Sequence, residues 1–233
     1  MTATAEGRTQ RRMADASIDS VSTLLALDVA VLLPAPVAAR AMALSGALSA
    51  EASKGLRLDA AHLPHVTLTQ QFVAIDELDR VWQHIDVLLR AQAPLRVHAT
   101  GAERSRDTVW IAIERSPELF SLHRRLMEAL HPFERAGGTV AAFAGGDARH
   151  HDVAWVEGYR SNSSADAFAP HITLGHAAEA PLVESFDFDA TTVAACHLGR
   201  FCTCGHVLRR WTLNGPPSAQ ARRLSPGRHS RSV

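Results

Sequence analysis

The chain contains two copies of one pentapeptide, Pro64-His65-Val66-Thr67-Leu68 and Pro170-His171-Ile172-Thr173-Leu174. Successive side chains of a β-strand point to opposite faces of its sheet. In each copy the histidine and the threonine therefore share one face, while the two aliphatic residues share the other. We expect the aliphatic face to enter a hydrophobic core and the polar face to carry the chemistry.

A His-x-Thr triplet alone is weak evidence, because short patterns also occur by chance. The chain itself contains a third triplet, His98-Ala99-Thr100, which lacks the preceding proline and the following leucine. A single pentapeptide is also compatible with an ordinary strand whose polar face meets water. Two complete copies favour a functional pair over that interpretation.

The duplicated pentapeptide resembles the motif of the two-histidine (2H) phosphoesterase superfamily. The best-known branch of that superfamily comprises 2′-5′ RNA ligases and RNA 2′,3′-cyclic phosphodiesterases. The resemblance covers residues 22–213 and implies an α+β fold of two similar lobes, each an antiparallel sheet backed by helices. It further implies a pseudo-twofold relation between the lobes and a central cleft, to which each lobe contributes one His-x-Thr strand.

The resemblance also implies a role for each motif residue. His65 is expected to be the general acid and His171 the general base. Thr67 and Thr173 are expected to bind phosphate oxygens. Two histidines suffice for this chemistry, because imidazole titrates near pH ~6.5 and one ring can be neutral while the other is protonated. We therefore expect a phosphodiesterase that opens a 2′,3′-cyclic phosphate to a 2′-phosphate without a metal or another cofactor.

Two other functions remain compatible with the same residues. Members of the superfamily also run the reverse reaction, which joins RNA ends through a 2′-5′ linkage. The second alternative is a nucleotide-binding module of the same fold that does not convert its ligand. The sequence does not distinguish an RNA terminus from a small cyclic nucleotide as the ligand.

The composition is that of an ordinary globular protein, with 46% hydrophobic and 21% charged residues in a chain of 233. The 24 basic residues are balanced by 24 acidic ones. A net charge of zero argues against a protein that coats long duplex nucleic acid, since such binding requires many cationic contacts. We expect a monomer whose partner is a small nucleotide or an RNA terminus.

The chain has three cysteines, Cys196, Cys202 and Cys204. An odd number of cysteines does not form the framework of a secreted disulfide-rich domain, so a cytoplasmic location is expected. The stretch His150-His151-Asp152 is a weak candidate for metal binding, because adjacent residues in a loop rarely converge on one ion. No metal site is predicted.

The longest apolar run, residues 24–33, is interrupted by Asp28 and is too short to cross a bilayer.

Periodicity predicts most of the elements that carry these motifs. The predicted strands are residues 23–33, 95–100, 108–113, 193–198 and 206–213, together with Val153–Tyr159 between flexible loops. The predicted helices are residues 36–53, 76–92 and 116–135, the last capped by Ser116. The order of these elements indicates a loose repeat about the midpoint of one bilobal domain, residues 22–213. Residues 1–21 are expected to be a disordered leader and residues 214–233 a disordered tail.

Recognition of a nucleobase is expected to involve an aromatic side chain near the cleft. The candidates are Phe72, Trp110, Tyr159 and Phe168, each of which is also a candidate core residue. Arginines in predicted loops are candidates for a phosphate contact: Arg104, Arg106, Arg149 and Arg160.

Overall fold

The computed structural model describes residues 23–215, which form two four-stranded antiparallel sheets and four α-helices. The expected leader and all but the first two residues of the expected tail lie outside this range. Within it, no helix has the length and apolarity that a membrane crossing requires. The expected α+β class is confirmed.

The elements follow one another in an order that alternates strands and helices. The strands are β1 Leu24–Leu32, β2 His65–Ala74, β3 Leu95–Ser105, β4 Thr108–Ile113, β5 His171–His176, β6 Phe186–Ala190, β7 Thr192–Leu198 and β8 Cys204–Thr212. The helices are α1 Ala35–Ala47, α2 Leu78–Leu89, α3 Pro117–Leu130 and α4 His150–Ser163.

The strand order is β2-β1-β7-β8 in the first sheet and β5-β4-β3-β6 in the second. Each pentapeptide therefore begins a strand at the edge of its own sheet, which confirms the two-lobed arrangement. The two lobes do not correspond to the two halves of the chain, however, because the sheets exchange strands. The closing hairpin β7–β8 returns to the first sheet, where β7 pairs with β1, so the first lobe contains both ends of the described chain.

The strand β1 is buried on both faces because it lies between two neighbours and beneath helices. One face packs into the main core through Leu25, Leu27, Val29 and Val31. The opposite face carries the small side chains Ala26 and Ala30 and, between them in the alternation, the fully buried Asp28. This second face points toward α4 and the cleft.

The helices α2 and α3 supply the other side of the main core. Their buried residues recur at three- and four-residue spacing, as expected for an amphipathic helix. The Ser116 side chain accepts a hydrogen bond from the backbone N–H of Leu119, which confirms the predicted N-cap.

The predicted strand Val153–Tyr159 is wrong, because these residues lie inside α4. The buried side chains of this helix are Asp152, Val156 and Tyr159, which are four and three residues apart and so share one helical face. Residues between them are more exposed. A period of two matches the order of apolar residues in this short segment, but a period of 3.6 matches their burial.

Helix α1 and strand β6 also differ from the prediction. The first helix ends at Ala47 instead of residue 53. The next residue, Leu48, has an extended backbone and donates its N–H to Ser45 O. The strand β6 is missing from the prediction, although its aromatic residues alternate with Asp187 and Asp189. Its pairing with β3 completes the second sheet.

His123 joins three parts of the fold from inside the core, where it is fully buried. Its Nδ1–H donates to Leu68 O at 2.6 Å, and its Nε2 accepts the N–H of Ala165 at 3.2 Å. The ring stacks on Phe168 with centroids 3.9 Å apart. Burial lowers the pKa of His123, so the neutral ring that this geometry requires is the stable form.

Replacing His123 with asparagine should lower the free energy of unfolding at neutral pH by about 2–4 kcal/mol, because ring packing and a hydrogen bond are lost. The replacement should also weaken the pH dependence of stability. In the parent protein, the unfolded chain protonates His123 below about pH 6.5, whereas the native ring protonates only at lower pH, so stability falls as the pH drops through that window.

Urea unfolding on the two sides of this window measures both effects. The exposed His150, replaced with asparagine, is the matched control and should change neither quantity. An unchanged pH dependence in the His123 variant would contradict the role assigned to this ring.

Candidate active site

The two pentapeptides have the same pattern of burial. In each, the proline and both aliphatic residues are buried, and the histidine and threonine are partly exposed. His65 Nδ1–H donates to Leu63 O at 2.7 Å, and His171 Nδ1–H donates to Ala169 O at 2.8 Å. Since a carbonyl only accepts, the proton of each neutral ring lies on Nδ1, and Nε2 is left for chemistry in the cleft.

Both motif strands contain a β-bulge at the motif leucine. The register of β2 against β1 skips Leu68, and that of β5 against β4 skips Leu174. A bulge adds one residue and so reverses the alternation of side chains beyond it. The face that carries histidine and threonine therefore continues at Gln70 and His176, three residues after each threonine, and both line the cleft.

All four site residues predicted from the sequence line one cleft of about 350 Å³: His65, Thr67, His171 and Thr173. This volume lies within the range of small-molecule sites, roughly 300–1,000 Å³. The aromatic residues that line it are Trp155, Tyr159, Phe168 and Phe201. Two of them, Tyr159 and Phe168, were candidates from the sequence.

Most of the remaining candidates do not line the cleft. Phe72 packs edge-on against Phe143 in the core, so it is unavailable to a ligand. The Trp110 ring lies 5.8 Å from the ring of His171 but does not line the cleft. Among the candidate arginines, Arg149 lines the cleft, and Arg160 pairs with Glu134.

His171 has the electrostatic character of a base. Burial lowers its pKa, and the nearby His65 lowers it further, against an opposing hydrogen bond to Ala169 O. The neutral imidazole is therefore favoured at working pH, and its unprotonated Nε2 is able to accept a proton.

His65 has a different neighbour, the fully buried carboxyl group of Asp28 on β1. Asp28 Oδ2 accepts the Thr67 hydroxyl at 2.9 Å and the Gln70 Nε2–H at 2.7 Å, and it lies 3.6 Å from His65 Nε2. Its other oxygen, Oδ1, has no hydrogen-bond partner among the described residues. Burial raises the pKa of the Asp28 carboxyl, and the nearby His65, these two donors and the Cys204 thiol oppose that rise.

Asp28 is absent from the site residues predicted by the sequence, where it stands out only as an interruption of the apolar run 24–33. A signal was nevertheless present. A single acid in a run of this kind must be buried, and a buried carboxyl needs partners.

The two motif threonines are not equivalent. The Thr67 hydroxyl donates to Asp28, whereas within residues 23–215 the Thr173 hydroxyl has no hydrogen-bond partner. Thr173 is therefore free to donate to a ligand, and Thr67 does so only by releasing Asp28.

In the described part of the chain, one group of side chains has the spacing of metal ligands: Asp28, His65 and Cys204 lie with donor atoms within 4.8 Å of one another. This group fits a metal poorly. Asp28 Oδ2 already accepts two hydrogen bonds, and burial raises the pKa of Cys204, so its thiol stays protonated and is a weak ligand. The metal-free expectation stays a prediction.

One wall of the cleft is held by the start of α4. Asp152 is buried and pairs with the Arg149 guanidinium. Its Oδ2 also accepts the backbone N–H of Arg149 at 2.9 Å and of Phe201 at 3.0 Å. The guanidinium lies over the Phe201 ring, 4.1 Å from its centroid. The oxygens of Asp152 are therefore taken up by hydrogen bonds within the protein and are not available to a metal ion. Through these bonds, Asp152 holds both Arg149 and Phe201 in the cleft wall.

The sequence model of the 2′-5′ RNA ligase superfamily matches residues 33–192, which include both pentapeptides. No curated protein is detectably similar to the chain in sequence.

Solved structures share the fold. TT0787 of Thermus thermophilus is 20% identical with a TM-score of 0.55, over 82% of this chain and 99% of that one. E. coli LigT complexed with NADP+ is 21% identical with a TM-score of 0.53, over 82% of this chain and 98% of that one. E. coli LigT complexed with 3′-AMP is 20% identical with a TM-score of 0.52, over 82% of this chain and 99% of that one.

The tie between α4 and the cleft wall is tested by replacing Asp152 with asparagine. Burial alone would raise the pKa of Asp152, but the hydrogen bonds from Arg149 and Phe201 outweigh it and hold the pKa below its ordinary value. Breaking a buried ion pair typically costs about 3–5 kcal/mol, and we expect a loss of that order in urea unfolding at neutral pH.

The exposed Asp166, replaced with asparagine, is the control and should leave stability unchanged. Because the folded pKa of Asp152 is depressed, its contribution is present above the ordinary carboxyl pKa and is lost as the pH falls through the folded value. An Asp152 variant as stable as the control would contradict this account.

Proposed function

This chain belongs to the 2′-5′ RNA ligase superfamily of 2H phosphoesterases, and from that membership we propose that it hydrolyses 2′,3′-cyclic phosphates to 2′-phosphates without a metal. The observation that supports the proposal is the matched pair of imidazoles in one cleft. Each ring is anchored through Nδ1 to a backbone carbonyl, and each leaves Nε2 available.

In the proposed reaction, His171 Nε2 takes a proton from water while the water oxygen attacks phosphorus. The bond from phosphorus to the ribose 3′-oxygen breaks on the opposite side, and His65 gives a proton to that oxygen. The products are a 2′-phosphate and a 3′-hydroxyl. A neutral His171 suits the base role, because its pKa is lowered by burial.

Negative charge develops on the non-bridging phosphate oxygens during this step. Thr173 is the ready donor to one of them, because its hydroxyl has no partner among the described residues. Thr67 is placed to donate to a second oxygen when its hydroxyl turns from Asp28 to the phosphate. A stiff β-strand holds each hydroxyl two residues from its histidine.

The proposed substrate is a small nucleotide or an RNA terminus. LigT has been solved in complexes with NADP+, 3′-AMP and ATP, and these ligands belong to the proposed class. The four aromatic residues of the cleft offer surfaces on which a base stacks. A cytoplasmic location, a monomeric state and a single bilobal domain over residues 22–213 stay predictions.

The deciding assay is hydrolysis of adenosine 2′,3′-cyclic phosphate in excess EDTA, with the product identified by ³¹P NMR. Replacing either His65 or His171 with alanine should lower kcat by about 10²–10⁴-fold, because each variant lacks one proton-transfer group. Replacing Thr173 with valine should have a smaller effect, about 10–10²-fold, through loss of one donor.

The chain supplies a matched control in its third His-x-Thr triplet. His98 lies on β3 and pairs with the exposed Asp187, away from the cleft, so its replacement with alanine should leave turnover unchanged. Full activity in both motif variants would refute the proposal. So would activity that EDTA abolishes.

The same protein preparations separate the two alternatives. Tight nucleotide binding by calorimetry, with no product in the hydrolysis assay, would identify a binding module. RNA with cyclic-phosphate and 5′-hydroxyl ends, converted to a linkage that resists a 3′-5′-specific nuclease, would identify a ligase.

A further inference from the structure

The registers of the two motif strands against their inner neighbours correspond residue by residue, so side chains at equivalent positions can be compared. In the first lobe, Asp28 on β1 pairs in register with Gln70. In the second lobe, Thr108 on β4 pairs in register with His176, at the equivalent place beyond the bulge. The first lobe therefore carries a carboxyl group where the second carries a hydroxyl.

We propose that Asp28 is a positioning residue that holds His65 in the protonated form and so makes it the acid, while His171, which forms no ion pair within the described residues, remains the base. The charge of Glu103 acts on His171, but burial outweighs it, so the pKa of that ring is lowered. The inference rests on the proposed function and adds to it the reason why two symmetric histidines have opposite roles. Asp28 does not touch the substrate in this scheme and acts only through His65 and Thr67.

The burial of Asp28 is hard to explain by stability alone. A carboxyl group removed from water costs several kcal/mol unless it is fully paired. One of its oxygens has no partner among the described residues, so the pairing is incomplete. Its neighbours on the same face of β1, Ala26 and Ala30, are small and apolar. An apolar residue at this position would fit the strand better than an acid.

Burial raises the pKa of Asp28, but the neighbouring His65 and the hydrogen bonds to the carboxyl favour its anionic form, and two of these bonds reach the oxygen that lies nearest His65. Trp155 Nε1 only donates, and it bonds Gln70 Oε1 at 3.0 Å, so the amide of Gln70 must direct its Nε2–H toward Asp28. Gln70 and Thr67 thus both donate to Oδ2. This oxygen lies 3.6 Å from His65 Nε2, where a negative charge favours the imidazolium.

Other titratable groups surround the pair, and they do not supply an alternative anion. They are Tyr159 and the Arg149–Asp152 ion pair of α4, His171 of β5, Cys196 of β7, Cys202 of the following turn and Cys204 of β8. Burial raises the pKa of Tyr159, Cys202 and Cys204, so these groups stay neutral. The Arg149–Asp152 pair compensates itself.

Two variants of Asp28 test the proposal through the pH profile of kcat/KM. Asp28→Asn keeps the size of the side chain and removes its charge, and Asp28→Thr copies Thr108 of the other lobe. In both, the alkaline limb, which reports the acid, should move to lower pH by about one unit while the acidic limb stays in place. The rate on the alkaline side then falls about tenfold.

The control is Asp189→Asn on the exposed surface of β6, which should move neither limb. Circular dichroism and urea unfolding establish that each variant is folded, and either Asp28 variant alone suffices for the test. A fall in rate by the same factor at every pH would show a merely structural role and overturn the proposal. Movement of the acidic limb would overturn it as well, because the carboxyl would then act on the base.

A second readout does not depend on turnover. Imidazole NMR signals of His65 and His171, assigned with single His→Gln variants, are followed through a pH titration of the parent protein and Asp28→Asn. We expect His65 to keep its proton to higher pH than His171 in the parent, and to lose that advantage in the variant. Unchanged His65 signals in the variant would end the proposal, whereas an inactive parent protein with the expected signals would end only the proposed function.

Discussion

The register of each motif strand against its inner neighbour is the constraint on which the site depends. A shift of one residue would turn every side chain of the strand to the other face of its sheet. The aliphatic residues of each pentapeptide fix the register, because Val66, Leu68, Ile172 and Leu174 are almost completely buried. Burial of these apolar side chains therefore directs the histidine and threonine of each motif into the cleft. The bulge at each motif leucine adds Gln70 and His176 to the same face.

The cleft combines symmetry of the backbone with asymmetry of charge. The edge position of the motif strand, the place of its bulge and the hydrogen bond from its imidazole to a carbonyl are the same in both lobes. The differences lie in single side chains, such as Asp28 against Thr108 and Ala30 against Trp110. Acid–base catalysis needs two groups with unequal proton affinity, so a perfectly symmetric pair would be a poor catalyst.

Those parts of the structure that depend on local pattern were predictable from the sequence. The two motif strands, the cap at Ser116 and the β3–β4 hairpin are each specified by neighbouring residues, and the four motif residues do meet in one cleft. Parts that depend on distant partners were not predictable. The buried face of α4 is defined by its packing against β2 and the turn at Phe201, which are distant in sequence. The significance of Asp28 depends on Thr67 and Gln70, which are 39 and 42 residues away.

The interleaving of the two lobes has a consequence for synthesis of the chain. The strand β1 is among the first described elements to leave the ribosome, yet its second neighbour, β7, begins only at Thr192. Until then the nascent first sheet has an open edge, and such an edge readily pairs with other chains. The second sheet is complete once β6 ends at Ala190, whereas the first still requires both β7 and β8. Truncation that removes the β7–β8 hairpin would therefore leave all four strands of the second sheet in place. The first sheet would lose two strands and expose the edge of β1 to aggregation.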